Sequence, residues 1–399
     1  MFRLFHLLSA TMALALAANS VFALPSPASA PSDLVSRQAV SECQPVHASF
    51  DCNSKRSLTK RASVCNGDAS LCDRLYSNVT YIGAHDSYAV GTLQGAVTGH
   101  NQEQTVTTQL NDGIRLLQVQ AHKSSNSTSG SGIDLCHSSC SLEYGGTLES
   151  YLSKVESWLS SNPNEVVTLL IVNSDDQPVS SFGTAFSSTN LSSKAYTPSS
   201  ASVSKNSWPT LGSMIDSGKN LVVFIDNSAD TSSVSYILPH FSNTWENAYD
   251  QTSTPFNCTV DRINSGSSSS SLMYLINHYL DSSYTLFGTN VLVPNTAEID
   301  TTNSYASIMQ DADNCASMHA NSYPTFVLTD FYDMGNGSVF QAAAKMNGVQ
   351  YTAKAIGNAT KSGETSKSSS SSGSQSITMV SVGNVIMAIG GLAFASALL

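Results

Sequence analysis

The chain has 399 residues, of which 41% are hydrophobic and 12% charged, too apolar for a disordered protein and long enough for a large buried core. Against 18 Lys/Arg stand 29 Asp/Glu, a formal charge of −11, with no arginine-rich stripe to offset it. Such a body repels polyphosphate chains, which argues against nucleic acid as a partner.

In chain order, Arg3 precedes the apolar run LFHLLSATMALALAA, and a small-x-small site, VFA, closes at Ala23. Residues 1–23 are therefore expected to be a secretory signal peptide. A membrane anchor is the competing reading, but the run falls short of the roughly 20 residues a span needs. Residues 24–61 are rich in Pro, Ser and Ala and lack periodicity. They carry dibasic pairs at Lys55–Arg56 and Lys60–Arg61, and read as a pro-segment or linker. Residues 1–61 together hold six of the Lys/Arg and three of the Asp/Glu, so the rest of the chain is more acidic still.

Residues 62–360 carry eight apolar runs, each with polar or ionisable residues toward its C-terminal side: VTYIGAHD, IRLLQVQAH, IDLCH, VVTLLIVNSDD, LVVFIDN, YILPHFSNTW, LMYLINH and TFVLTDFYD. Helical patterns lie between several of them, such as TLESYLSKVESWLSSNP and SVFQAAAKMNG, the latter with Gly348 as a stop signal. Continuous apolar strands separated by helices predict a parallel sheet covered by helices. Eight of them predict an α/β fold of the (β/α)8 TIM-barrel type, with the chemistry at the strands' C-terminal ends. An open doubly wound sheet is the alternative, but no glycine-rich phosphate loop follows the first strand. The sixth run is the weakest strand, and short serine-rich connections predict a distorted barrel with an incomplete helical layer.

Residues 361–373, KSGETSKSSSSSG, form a serine-rich stalk with no means of building a core. Residues 374–399 end on VIMAIGGLAFASALL. Small residues, spacer and apolar tail match a glycosylphosphatidylinositol attachment signal near Ser371, Ser372 or Gly373, with a tail anchor as the competing reading. The eight cysteines of a secreted chain suggest disulfides. Cys65 lies close to Cys72 and Cys136 to Cys140; Cys258 and Cys315 would close a long loop, leaving Cys43 with Cys52. No C-x-x-C pair with matching histidines suggests zinc. Sequons at Asn78, Asn126, Asn190, Asn257, Asn336 and Asn358 predict a glycosylated surface.

A barrel gathers one set of residues at its mouth. The first strand brings His85 and Asp86, the second Gln118, Gln120 and His122, and the third His137. Asn173 and Asp175 follow the fourth and Asp226 the fifth. The seventh brings Asn277 and His278, the eighth Asp330 and Asp333. A single histidine beside a carboxylate reads most simply as a satisfied core group. Two at neighbouring strand ends, with carboxylates to orient them, are what general acid–base catalysis near neutral pH requires.

The motifs GAHDSYA, QLNDGIRLLQVQAH and LCHSSC, in this order, resemble the phosphatidylinositol-specific phospholipase C X-domain superfamily, closest to its fungal secreted phosphodiesterases. NPNEVVTLLIVNSD, WPTLGSMIDSGKNLVVFID and PTFVLTDFYDMG extend the resemblance across residues 65–350. It implies a distorted TIM barrel and a phospholipase C-type phosphodiesterase acting on an inositol lipid or related phosphodiester. By the same resemblance, His85 is the general base on the attacking hydroxyl and His137 the general acid on the leaving alcohol. Asp330 orients His85, and Asp86 orients His137. Attacking and leaving oxygens lie on opposite sides of phosphorus, so one imidazole cannot serve both. Arg115, Gln118, Gln120, Asn173 and Asp226 are expected to line the substrate, with a buried structural ion pair as the alternative for Arg115.

Gln118 and Gln120 depart from the family pattern, which places acidic calcium ligands or an arginine on this strand. Two amides make a poor calcium site and cannot neutralise a phosphate. The expectation is accordingly a monomeric enzyme without metal or cofactor. It would be secreted and tethered to the cell surface or wall through its lipid anchor. Two other functions compete. One is a catalytically weak or inactive surface binding protein on the same barrel. The other, a glycoside hydrolase, needs two carboxylates at a defined separation and finds only Asp226 and Asp330, without a recognisable pairing.

Overall fold

In the computed structural model, which describes residues 61–93, 99–125, 130–286 and 289–357, the apolar runs become strands buried on both faces. The signal peptide, all but the last residue of the 24–61 segment, the stalk and the tail lie outside those residues, as do Cys43 and Cys52.

The first strands are β1 (Tyr81–Ala84), β2 (Leu116–Lys123), β3 (Ile133–His137), β4 (Glu143–Thr147), β5 (Val167–Asn173) and β6 (Leu221–Ile225). They are followed by β7 (Ile237–Pro239), β8 (Thr244–Glu246), β9 (Met273–Asn277), β10 (Asp281–Leu286), β11 (Thr289–Pro294) and β12 (Phe326–Thr329). Eight of them make the barrel wall. In parallel pairs, β1, β2, β5, β6 and β7 run one way round from β1, and β12, β9 and β8 run the other. The wall therefore follows chain order and closes where the last strand meets the first, from Tyr81 beside Phe326 to Ala84 beside Thr329. No ladder joins β7 to β8. The four residues His240–Asn243 between them are too few for the crossover that a parallel neighbour needs.

The count of eight strands holds, but two runs contribute differently from the expectation. IDLCH is β3, which leaves the wall and pairs antiparallel with the outer end of β2 and with β4. Only residues 124–132 separate β2 from β3, enough for a hairpin and too few for a parallel return. YILPHFSNTW supplies two wall strands, β7 and β8, where one was expected.

Side chains alternate along the wall strands, as the two-residue period demands. One set, including Tyr81, Leu116, Leu170, Phe224, Leu275, Phe326 and Leu328, packs into the barrel interior, which Tyr76, Trp208 and Leu211 close at the strands' N-terminal ends. The other set, including Ile82, Val119, Leu169, Ile171 and Val223, packs outward against the helices. These are α1 (Val106–Asp112), α2 (Leu148–Ser161), α3 (Val179–Ser188), α4 (Leu211–Asp216), α5 (Ile299–Thr302), α6 (Tyr305–Met318) and α7 (Ser338–Asn347). Thr147 and Ser304 cap α2 and α6 by accepting the N–H of Ser150 and Ser307, and Gly348 ends α7 in the left-handed region at φ 60°. No α-helix covers the segment between β6 and β9, so the helical layer is incomplete on the side of the open seam.

Gly83 occupies an interior position two residues below His85. A Cβ there would stand 2.8 Å from a methyl of Leu116 and 3.0 Å from one of Leu328. Replacing Gly83 by alanine should overpack this layer and lower stability by about 1–3 kcal/mol. A denaturation midpoint equal to the native one would mean that the interior yields at this level.

Candidate active site

Continued past the strand ends, the inward register of the wall delivers His85 after β1, Gln118 within β2 and Asp330 after β12. The β1–β12 ladder extends by one bond, from the His85 N–H to the Thr329 carbonyl at 3.0 Å. This brings His85 Nδ1 to 2.9 Å from Asp330 Oδ1. The carboxylate can only accept, so Nδ1 carries a proton and Nε2 is the nitrogen left to exchange one. Asn101 Nδ2 donates to the same Asp330 oxygen at 3.0 Å. The Tyr279 ring lies flat against the imidazole, with centroids 4.2 Å apart and 10° between planes.

Asp86 turns the chain out of β1 with φ at 38°, a left-handed conformation that aspartate tolerates better than most residues. Gln118 holds this turn: its Oε1 accepts the Asp86 N–H at 2.6 Å, and its carbonyl accepts the Ser87 hydroxyl at 2.9 Å. The Asp86 carboxylate is fully buried, and neither oxygen has a hydrogen-bond partner among the described residues. His137 Nε2 lies 3.4 Å from Oδ2. His137 ends β3 inside the loop closed by the Cys136–Cys140 disulfide. The Ser138 N–H donates to Gln120 Oε1 at 3.1 Å, which ties that loop to β2.

Carboxylates dominate the electrostatics. Burial works against a charged His85, yet Asp330, Asp86 and Asp281 outweigh it and raise the imidazole to about 9. Burial and Asp330 push the Asp281 carboxyl up to about 7. Burial also raises Asp86, while the charges of His85 and His137 pull it back. Asp250 is raised by burial and lowered by His85, Arg262 and His137. Asp86, next to His85 in the chain and 3.4 Å from His137, brings the two imidazoles to the same end of the barrel.

Pairing alone does not mark a site here, since the described residues contain six histidine–carboxylate pairs. His240 with Glu246 and His278 with Asp311 are walled into the interior. His85 and His137 keep 14% and 18% of their side chains open to solvent, enough to be reached.

Other expected site residues fall differently. Arg115 is not at the mouth: it precedes β2 and lies at the opposite end of the barrel. There it donates to Glu165 at 2.8 and 2.9 Å and to the Leu110 and Ile114 carbonyls. It is a structural ion pair. Asn173 is also structural, because its amide is spent on Gln177 and Asn227. Gln118 and Gln120 support Asp86 and His137 with the amide oxygens that a cation or substrate would need. Asp226 accepts the Asn173 N–H at 2.9 Å and lines a cavity of about 400 Å³ at the open seam. Asn101, Tyr279, Asp250 and Asp281 escaped the sequence reading. Asn101 and Asp250 sit on loops without periodicity, whereas Tyr279 and Asp281 follow the NH that ends the seventh run. The amide oxygens of Gln118 and Gln120 each accept a backbone N–H. Among the described residues, no group of three or more His, Cys, Asp or Glu is placed to hold a metal ion.

The family model PI-PLC X 1 matches residues 71–347. An uncharacterized secreted protein of Arthroderma benhamiae is 42% identical over 304 residues, covering 74% of this chain and 66% of that protein. A PI-PLC X domain-containing protein 1 of the same organism is 38% identical over 296 residues, covering 73% of this chain and 92% of that one. Among solved structures, a phosphatidylinositol-specific phospholipase C from Listeria monocytogenes aligns with a TM-score of 0.45 at 14% identity, over 70% of this chain and 96% of that one.

Replacing Arg115 by methionine strands Glu165 and should cost roughly 3 kcal/mol of stability, as for other broken, largely buried pairs. Substrate affinity of the folded protein should stay at the native level. A raised KM with unchanged stability would return Arg115 to the substrate.

Proposed function

The chain belongs to the PI-PLC X domain family, and we propose that it is a secreted, surface-anchored phosphoric diester hydrolase of the phospholipase C type. The observation that carries this reading is the arrangement at the mouth: two solvent-reachable imidazoles, each backed by a buried carboxylate, around one space. His85 Nε2, freed by the Nδ1 bond to Asp330, takes the proton of the attacking hydroxyl. His137, with Nε2 3.4 Å from Asp86 Oδ2, gives a proton to the leaving oxygen on the far side of phosphorus. The chemistry needs no metal, and the β2 amides offer none a site. Export follows from residues 1–23 and the lipid tether from residues 374–399, both of which lie outside the described structure.

One observation favours the competing reading, a catalytically weak or inactive surface binding protein. With His85 raised to about 9, only about one molecule in a hundred holds it neutral at pH 7. The pH dependence therefore separates the two. For an enzyme whose base is His85, kcat/KM on phosphatidylinositol vesicles should climb about tenfold per pH unit from 6 to 8 and level off near 9. Asp281→Asn removes a negative charge that raises His85, so the bend should move to lower pH. A flat profile between pH 6 and 8 would exclude His85 as the base. His85→Ala and His137→Ala should each remove at least about 100-fold of the activity. A native protein that binds the vesicles without turnover, with or without chelator, would support the binding reading.

A further inference from the structure

The mouth is crowded with Asp86, Asp250, Asp281 and Asp330, and Gln118 and Gln120 bring no charge to oppose them. A phosphodiester anion entering such a space needs a fixed cation. Most basic residues are in the wrong place. Arg74 lines a cavity at the N-terminal end of the barrel, Arg115 is paired at that end, and Lys123 is exposed at the far tip of β2.

Arg262 differs from these. Backbone bonds between Glu246 and Arg262 fasten its loop to the C-terminal end of β8, on the same rim as His85. Its Nη2 donates to Glu246 Oε2, and Glu246 is held in turn by His240 at 2.8 Å. The guanidinium lies over two rings, 4.3 Å from the centroid of Tyr249 and 5.4 Å from that of Phe241. One edge is thus pinned, and the rings of Phe241 and Tyr249 lie against the guanidinium. The side chain remains 35% exposed. Phe241 also lines the cavity at the open seam, together with Asp226, Ile263 and Asn264. Its charge reaches the acidic space, since it opposes the effect of burial on both Asp226 and Asp250.

We propose that Arg262 anchors the phosphate of the substrate, supplying from the sixth wall strand the positive charge that β2 does not carry. This rests on the phosphodiesterase reading of the same mouth. A guanidinium fixed by an ion pair and two rings presents its remaining N–H groups in the planar geometry that phosphate oxygens accept.

Calorimetric titration of the full chain with two probes, inositol 1-phosphate and uncharged inositol, tests the anchor. The native protein should bind the phosphate ester more tightly than the polyol. Arg262→Gln should weaken the phosphate ester tenfold or more and leave inositol unchanged, with Arg262→Lys in between. Because Arg262→Gln strands Glu246 in the interior, the double variant Arg262→Gln/Glu246→Gln removes both charges, and its melting temperature shows that it is folded. It should lose phosphate affinity to the same extent. Unchanged phosphate affinity in the folded double variant overturns the proposal, as does an equal loss for both probes or a native protein that ignores the phosphate. Arg262-dependent phosphate binding in a native protein that never turns over phosphatidylinositol supports the anchor and removes the enzyme.

Discussion

The structure depends on the hydrogen-bonded closure between the first and last wall strands. Tyr81–Ala84 and Phe326–Thr329 lie far apart in the chain, yet their ladder is continuous. One more step brings His85 to the Thr329 carbonyl and to Asp330. The contact between imidazole and carboxylate therefore depends on the closed wall, and an open sheet would leave the two residues on separate edges. The unpaired seam between β7 and β8 falls away from this closure, so the barrel is irregular where the two histidines are not.

The second constraint is charge. An acidic body folds four aspartates toward one mouth, and burial alone drives each of Asp86, Asp250 and Asp281 toward its neutral form. The imidazoles counter this, and the carboxylates in turn hold His85 protonated to well above its ordinary range. A strongly basic imidazole is a poor resting base near neutrality and an effective one in alkali. The environment that orients His85 thus also sets the conditions under which it can act.

Much of this was legible in the chain. His85, Asp86, His137 and Asp330 all stand at or just beyond the ends of apolar runs, where period-two burial gives way to polar residues. Hydrophobic pattern reveals a strand but not its partner, so it says neither that IDLCH leaves the wall nor that residues 236–245 hold two strands. Connection length held the correction for IDLCH, because 124–132 is too short for a parallel return. Arg115 was misplaced although its position spoke against the mouth: it precedes the inward run of β2, and barrel chemistry gathers at the other end. Asn101 and Arg262 were not legible, since both lie on loops whose course depends on tertiary contacts.

The division of labour between the histidines is tested most directly by changing the leaving group. An inositol phosphodiester of 4-nitrophenol releases an anion stable enough to depart without a proton, whereas a lipid alkoxide is not. On the nitrophenyl ester, His137→Ala should recover most of the native turnover, while His85→Ala should stay as impaired as on the lipid. Equal impairment of both variants on both substrates, or recovery of His85→Ala instead, would contradict the assignment of base and acid.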